Sequence, residues 1–219
     1  MVLGIFGAGG FGREVIECIR QIEIEQKKWE RVVFIDDKID KLEVNGVHVM
    51  RYKDFKKEYG IDNAKIFIAQ GEPNNRQKLW NLIKKDGYMG TTIINPNVWI
   101  PNTTNVGEGV YIGYGAFISC NVEIGDNSII MPYASIGHDS VVGKHCVCSD
   151  QSNIAGNCKI KDFCFLGLNC IIREKLSIPE WTIISAGSAV LRDINEHNCI
   201  VAGVPARIIQ RNEKHCIFK

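Results

Sequence analysis

The sequence holds no apolar run near the roughly 18 residues that a membrane-spanning helix needs. It also lacks the basic segment, long apolar stretch and small-residue cleavage site of a signal peptide. The opening MVLGIFGAGG reads instead as a first strand, and the chain is expected in the cytoplasm. An excess of one charge is missing too: 26 Lys and Arg stand against 25 Asp and Glu, a formal net charge of +1. That balance gives no electrostatic argument for nucleic acid or an anionic membrane surface. There is no CxxC pair, and the nine cysteines are an odd number, which argues against a disulfide framework. What is present is enough apolar residue, 45% of 219, to build one large or two small domains around a buried core.

The dominant feature is a repeat of six residues. Ile94, Ile100, Val106, Ile112, Ile118, Ile124, Ile130, Ile136, Val142, Cys148, Ile154, Ile160, Leu166, Ile172, Ile178, Ile184 and Val190 fall on one phase, and only Cys148 is not Ile, Leu or Val. Two residues earlier the side chain is small, as at Ala116, Ser128, Ala134, Ser140, Cys146, Cys158, Cys164 and Cys170. One residue later Gly recurs, at Gly107, Gly113, Gly125, Gly137, Gly143 and Gly167. A six-residue period is neither the 3.6 of a helix nor the 2 of a strand. It fits a short strand followed by a corner, where Gly allows unusual dihedrals or close approach. Three such sides close a coil of 18 residues, and coils stack at about 4.8 Å, the spacing of paired strands. The expected product is a parallel β-helix with three inward aliphatic columns, uninterrupted from Ile94 to Val190. The hexad also accounts for most of the cysteines as small core residues.

Ahead of the repeat, Val2–Phe6 reads as a strand followed by Gly7-Ala8-Gly9-Gly10-Phe11-Gly12, a GxGxxG match. A helical stretch from Gly12 to about Gln26, a strand at Arg31–Ile35 ending in Asp36-Asp37, a strand at Lys65–Ala69 before Gly71, and a helix near Asn75–Lys85 complete a small Rossmann-like α/β unit. Glycines after the first strand let amides meet phosphate at a helix N-terminus, and an acid after the second strand can bind a ribose or sugar hydroxyl. Three readings stand for this unit: a nicotinamide dinucleotide site, strand–helix packing with no ligand, or a site for the nucleotide part of another substrate. The expected division is 1–90 for nucleotide-sugar binding, 91–195 for the β-helix and 196–219 for a C-terminal tail.

Of the five histidines, only His138 and His145 lie in the repeat. His138 follows Ile136-Gly137, so it points outward near a corner, with Asp139 directly after it. An imidazole with its pKa near 6.5 accepts a proton at neutral pH (about 6.5 is the unperturbed value). Cys120 and Gly156 lie one coil away on either side. Cys120 as a nucleophile would have no activating base except His138 itself.

GAGGFG, FIDD, SIGHDSVVG, NIAGNCKI, FLGLN, AGSAV and the closing VAGVPARII together resemble the sialic-acid O-acetyltransferase-like branch of hexapeptide-repeat sugar acyltransferases. That branch includes N-acetyltransferases of nucleotide-linked 4-amino-4,6-dideoxysugars. The resemblance covers nearly the whole chain. It implies a left-handed β-helix, acetyl-CoA as co-substrate, no metal, and a homotrimer with its active site between subunits, in bacterial surface glycan synthesis. It further implies His138 as general base with Asp139 orienting it. Gly7, Ala8, Gly9, Asp36, Asp37 and Gly71 would hold the nucleotide-sugar, and Leu168 and Ala186 would line the CoA channel. Two departures stand out. Relatives often carry a second His where this chain has Val147, with His145 two residues earlier, and often Asn-Thr where it has Met131-Pro132. Transfer to a sugar hydroxyl, as on sialic acid, is the close alternative. A zinc hydro-lyase would need three His ligands, whereas only two lie in the coils. A non-catalytic trimeric scaffold that binds a sugar nucleotide is the remaining class.

Overall fold

The computed structural model describes residues 1–217. The first part is a sheet of six strands in the order β3-β4-β2-β1-β5-β6, comprising β1 (Val2–Phe6), β2 (Arg31–Ile35), β3 (Glu43–Val44), β4 (Val47–Met50), β5 (Ala64–Ile68) and β6 (Met89–Gly90). All neighbours are parallel except the β3–β4 pair. Strands covered on both faces can be continuous apolar runs, and β1 is buried along its full length. Helix α1 (Gly10–Gln26) covers one face, burying Val15, Ile16, Ile19 and Ile22. Helices α2 (Tyr52–Glu58) and α3 (Pro73–Lys85) close the other, around Phe55 and Ile83. Helix α1 begins at Gly10, two residues before the expected start. Proline opens α3, where its missing N–H costs nothing.

From Ile93 the chain becomes a left-handed parallel β-helix. After Ile93–Ile94 the expected strand at 99–100 does not form, although Ile100 still packs against the core. From Asn105 to Val190 two-residue strands recur every six residues and pair in parallel with strands 18 residues away, as Ile129↔Val147 and Ile130↔Cys148 do. The prism has three faces. Face A holds 93–94, 111–112, 129–130, 147–148, 165–166 and 183–184. Face B holds 117–118, 135–136, 153–154, 171–172 and 189–190, and face C holds 105–106, 123–124, 141–142, 159–160 and 177–178. The aliphatic marks fill the interior as one core with Cys146, Cys148, Cys158, Cys164 and Cys170, all buried and free thiols. Truncating any one large mark to Ala would cost about 2–5 kcal/mol, the usual figure for a closed apolar site. A hairpin of Cys199–Gly203 and Ala206–Arg211 extends face A and closes the last coil.

The corners sharpen the sequence reading of glycine. From Val106 to Ile184 left-handed backbone is adopted three residues after each mark, not one: at Gly109, Gly115 and Gly187, and at the non-glycine residues Asn121, Asn127, Tyr133, Asp139, His145, Gln151, Asn157, Phe163, Asn169, Lys175 and Trp181. Each non-Gly residue costs about 1–2 kcal/mol there, least for Asn and Asp. Tyr133, His145, Phe163 and Trp181 nonetheless occupy it, each with its amide bonded to a carbonyl of the previous coil. The glycine one after the mark serves close approach instead: a Cβ on Gly137 would lie 2.5 Å from the Gly156 nitrogen.

The α/β unit docks on face A. Outward residues Ile93, Tyr111, Ile129 and Val147 join the α1 core, with Phe11 edge-on to Tyr111 at 5.3 Å. Lys84 of α3 pairs with Glu108 at 2.9 Å, and Glu108 also accepts the Gly90 amide. Among the described residues no helix is long and apolar enough to cross a membrane.

Candidate active site

His138 stands on the edge between faces B and C, opposite face A and hence opposite the docked α/β unit. Its side chain is 56% exposed. Asp139, in the left-handed corner position, turns its carboxylate back so that Oδ2 lies 2.7 Å from His138 Nδ1. The other oxygen of Asp139 accepts from Asn121 Nδ2 at 2.8 Å, one coil earlier. These two hydrogen bonds, from His138 first and then Asn121, hold the Asp139 carboxyl below its usual range. The His138 carbonyl is fixed by the Asn157 amide at 2.8 Å. The imidazole lies against Gly156, where a Cβ would come within 2.6 Å of Nε2. The arrangement orients the ring, assigns Nδ1 as the donor to Asp139, and leaves Nε2 to accept a proton from a group outside the prism.

The α/β residues form a second locus. Gly7 adopts φ +114°, and a Cβ there would meet the Ala69 carbonyl at 2.7 Å. Gly12 abuts Gly7 even more closely, so both glycines are required by the turn itself. Gly9 differs: it is extended at φ −73°, and a Cβ would meet nothing within 4 Å. Ala8 donates its amide to Asp36 Oδ2 at 3.0 Å, while Oδ1 of Asp36 accepts from Lys38 and Ile39. The Asp36 carboxylate is therefore occupied by backbone, and Asp37 Oδ1 holds the Tyr52 amide at the start of α2. Gly7, Asp36, Asp37, Lys38, Gln70 and Lys78 border a cleft of about 310 Å³. The Gly71 carbonyl points away from it, to Arg76.

Leu168 and Ala186 are both exposed and stand 18 residues apart in one column on the edge between faces A and B. The chain thus brings Gly7, Asp36, Asp37 and Gln70 together, brings His138 and Asp139 together, and places Leu168 beside Ala186. It does not bring the three groups to one place. Val147, where relatives often have a His, is buried under the α/β unit, as Met131 partly is. His145 lies on the third edge, between C and A, stacked on Phe163 at 5.0 Å. Trp181 and His215 continue that stack at 4.2 Å each. Burial first, and then the adjacent Arg76 guanidinium, push His145 down to about 4, so it stays neutral.

Sequence reasoning missed Asn121 and Arg76. Asn121 had a signal, since it sits 18 residues before Asp139 and so lies directly beneath it. Arg76 had none, because an arginine within a helix reads as a solvated side chain.

Comparison with known proteins draws these observations together. Residues 2–83 match the PglD N-terminal domain, and residues 88–201 match the GMPPB C-terminal domain. The second match spans more than half of the chain. The chain belongs to the hexapeptide-repeat sugar acyltransferases. It is 34% identical over 111 residues to GDP-perosamine N-acetyltransferase of Escherichia coli O157:H7, a stretch covering 50% of this chain and 49% of that protein. The chain thus aligns with about half the length of that curated relative. Two solved structures extend the likeness to nearly the full chain. PerB from Caulobacter crescentus, in complex with CoA and GDP-perosamine, shares 28% identity at TM-score 0.87, over 96% of this chain and 98% of that one. WeeI from Acinetobacter baumannii AYE shares 29% identity at TM-score 0.88, over 95% and 100%.

Proposed function

We propose that the protein transfers the acetyl group of acetyl-CoA to the amine of a nucleotide-linked 4-amino-4,6-dideoxysugar, a GDP-linked one first among the candidates. The observation that carries this reading is the His138–Asp139 pair, at 2.7 Å on an open prism edge. Nδ1–H donates to Asp139, and Nε2 takes a proton from the sugar amine as its nitrogen attacks the thioester carbonyl. The tetrahedral adduct then collapses, the carbon–sulfur bond breaks, and CoA leaves as a thiolate that takes up the proton held on Nε2, which regenerates the base. Gly7, Ala8, Gly9 and the Asp37 region would seat the nucleotide-sugar, with the open space at Gly9 receiving phosphate. Asp36, its oxygens occupied by amides, would shape this cleft, and Gly71 would form its lip. Leu168 and Ala186 would flank the pantetheine arm of CoA.

The reading requires more than one copy of the chain. The α/β unit covers face A, whereas His138 lies on the edge opposite to it. A homotrimer of parallel prisms would bring the cleft of one copy to the His138 edge of the next and leave Leu168 and Ala186 at the seam. This division assigns residues 1–90 to sugar-nucleotide binding, 91–195 to acyl transfer and the remainder to a closing tail, in a cytoplasmic enzyme of surface-glycan synthesis. The similarity to PerB and to the E. coli relative favours an amine over a hydroxyl as acceptor. The test is release of free CoA from acetyl-CoA with GDP-perosamine, with UDP- and dTDP-linked 4-amino sugars, and with sialic acid. Release with a nucleotide aminosugar supports the reading; release with sialic acid alone would replace it by O-acetylation.

A further inference from the structure

Arg76 is fully buried in the seam between the two halves of the chain. A guanidinium has five N–H groups in a rigid planar fork. All five are used here, and every acceptor is a backbone carbonyl. Nη1 donates to Gln70 at 2.8 Å and Gly71 at 2.9 Å, the lip of the cleft. Nε donates to Asn127 at 2.8 Å, and Nη2 to His145 and to Cys146, all on the edge between faces C and A. One side chain thus bolts the lip of the α/β cleft to two successive coils of the β-helix.

The anchoring edge is itself stiff. Asn127 Nδ2 donates to His145 Nδ1 at 3.0 Å, and the imidazole stacks on Phe163, Trp181 and His215 in turn. On the far side, Glu72 accepts the Ile217 amide at 2.9 Å, so the C-terminal tail backs the segment that follows the lip. A buried cation is a costly way to glue two domains, since an apolar side chain of similar volume would do so with no desolvation penalty. What an apolar side chain cannot do is fix five carbonyls at set angles.

We infer that Arg76 is a positioning residue: it fixes the Gln70–Gly71 lip against the β-helix and thereby sets where the nucleotide-sugar is held. The inference rests on the proposed acetyl transfer for its kinetic consequence, but its structural half does not. Fully buried and with its donors all on backbone carbonyls, Arg76 has no group free to act on a substrate directly.

The test uses the full-length assembled protein with Arg76→Met, which removes the buried charge and keeps the volume, and Arg76→Lys, which keeps the charge but offers three donors. Lys84→Ala, which loosens the same seam at Glu108 without reaching the lip, is the control. Hydrogen exchange over residues 69–72 should accelerate at least tenfold in both Arg76 variants and remain unchanged in Lys84→Ala. KM for GDP-perosamine should rise about tenfold while kcat and KM for acetyl-CoA stay within about twofold. Unchanged exchange at the lip, or restoration of normal exchange by Lys, would overturn the inference whatever the enzyme acetylates. Parallel rises in both KM values would overturn it as well. A wild-type protein that acetylates none of the nucleotide aminosugars would instead remove the proposed function, and the exchange result would still decide the role of Arg76.

Discussion

Two edges of the same prism carry a histidine, seven residues apart, and the two have opposite surroundings. His138, two residues past its aliphatic mark, is exposed, paired with a carboxylate and left uncovered by its own chain. His145, three past its mark, is 6% exposed, stacked on aromatics and held neutral beside an arginine. A single step in the phase of a hexad therefore separates an imidazole suited to proton transfer from one suited to packing. The covered edge fixes the α/β unit, and the bare edge is left open by its own chain.

The contrast can be broken from either side. The largest effect should come from His138→Ala, lowering kcat by about 10²–10⁴, the usual contribution of a general base, with thermal stability unchanged. Gly156→Ala should follow. Its Cβ would enter the space of the ring, and a displacement of this order costs up to about a hundredfold in kcat. Asp139→Asn keeps the left-handed corner but weakens the acceptor for Nδ1, and should cost about tenfold, in line with groups that orient a functional imidazole. The smallest kinetic effect belongs to His145→Phe, with kcat within about twofold.

That last variant should instead alter the pH dependence of stability. In the folded chain His145 remains neutral down to about 4, whereas in the unfolded chain it takes up a proton near the ordinary imidazole value of 6.5. Its neutral burial thus opposes no folding above pH 6.5, and stability falls as pH drops from 6.5 towards 4. The loss should be on the order of 3 kcal/mol. Denaturant melts across that window should show a shallower decline for His145→Phe, together with lower stability at neutral pH because the Asn127 amide loses its acceptor.

Much of this was legible in the sequence, for identifiable reasons. An interior that admits only aliphatic side chains leaves a six-residue imprint, so the coils and the buried cysteines could be read from spacing. The outward turn of His138 followed from its phase. Which face would be covered was also encoded, though unread: the outward residues of face A are Ile93, Tyr111, Ile129, Val147, Phe165 and Ile183, all apolar or aromatic, whereas face C carries Asn105, Glu123, Val141, Lys159 and Ser177, of which only Val141 is apolar. Arg76 was not legible, because its five acceptors are carbonyls, which no residue type reports. Asp36 reads as a ligand from its place after β2, and only the structure shows three backbone amides already on its carboxylate.

The central claim is that the bare His138 edge of one copy serves the cleft of another. Co-expressing His138→Ala with Gly9→Trp tests it most directly, since the tryptophan would fill the open space at Gly9 proposed to receive phosphate, on an unstrained backbone. Each variant alone should fail to acetylate GDP-perosamine, and the mixed assembly should recover activity, because an intact cleft then meets an intact His138. Mixed assemblies, verified by native mass spectrometry, that stay as inactive as both parents would contradict the account.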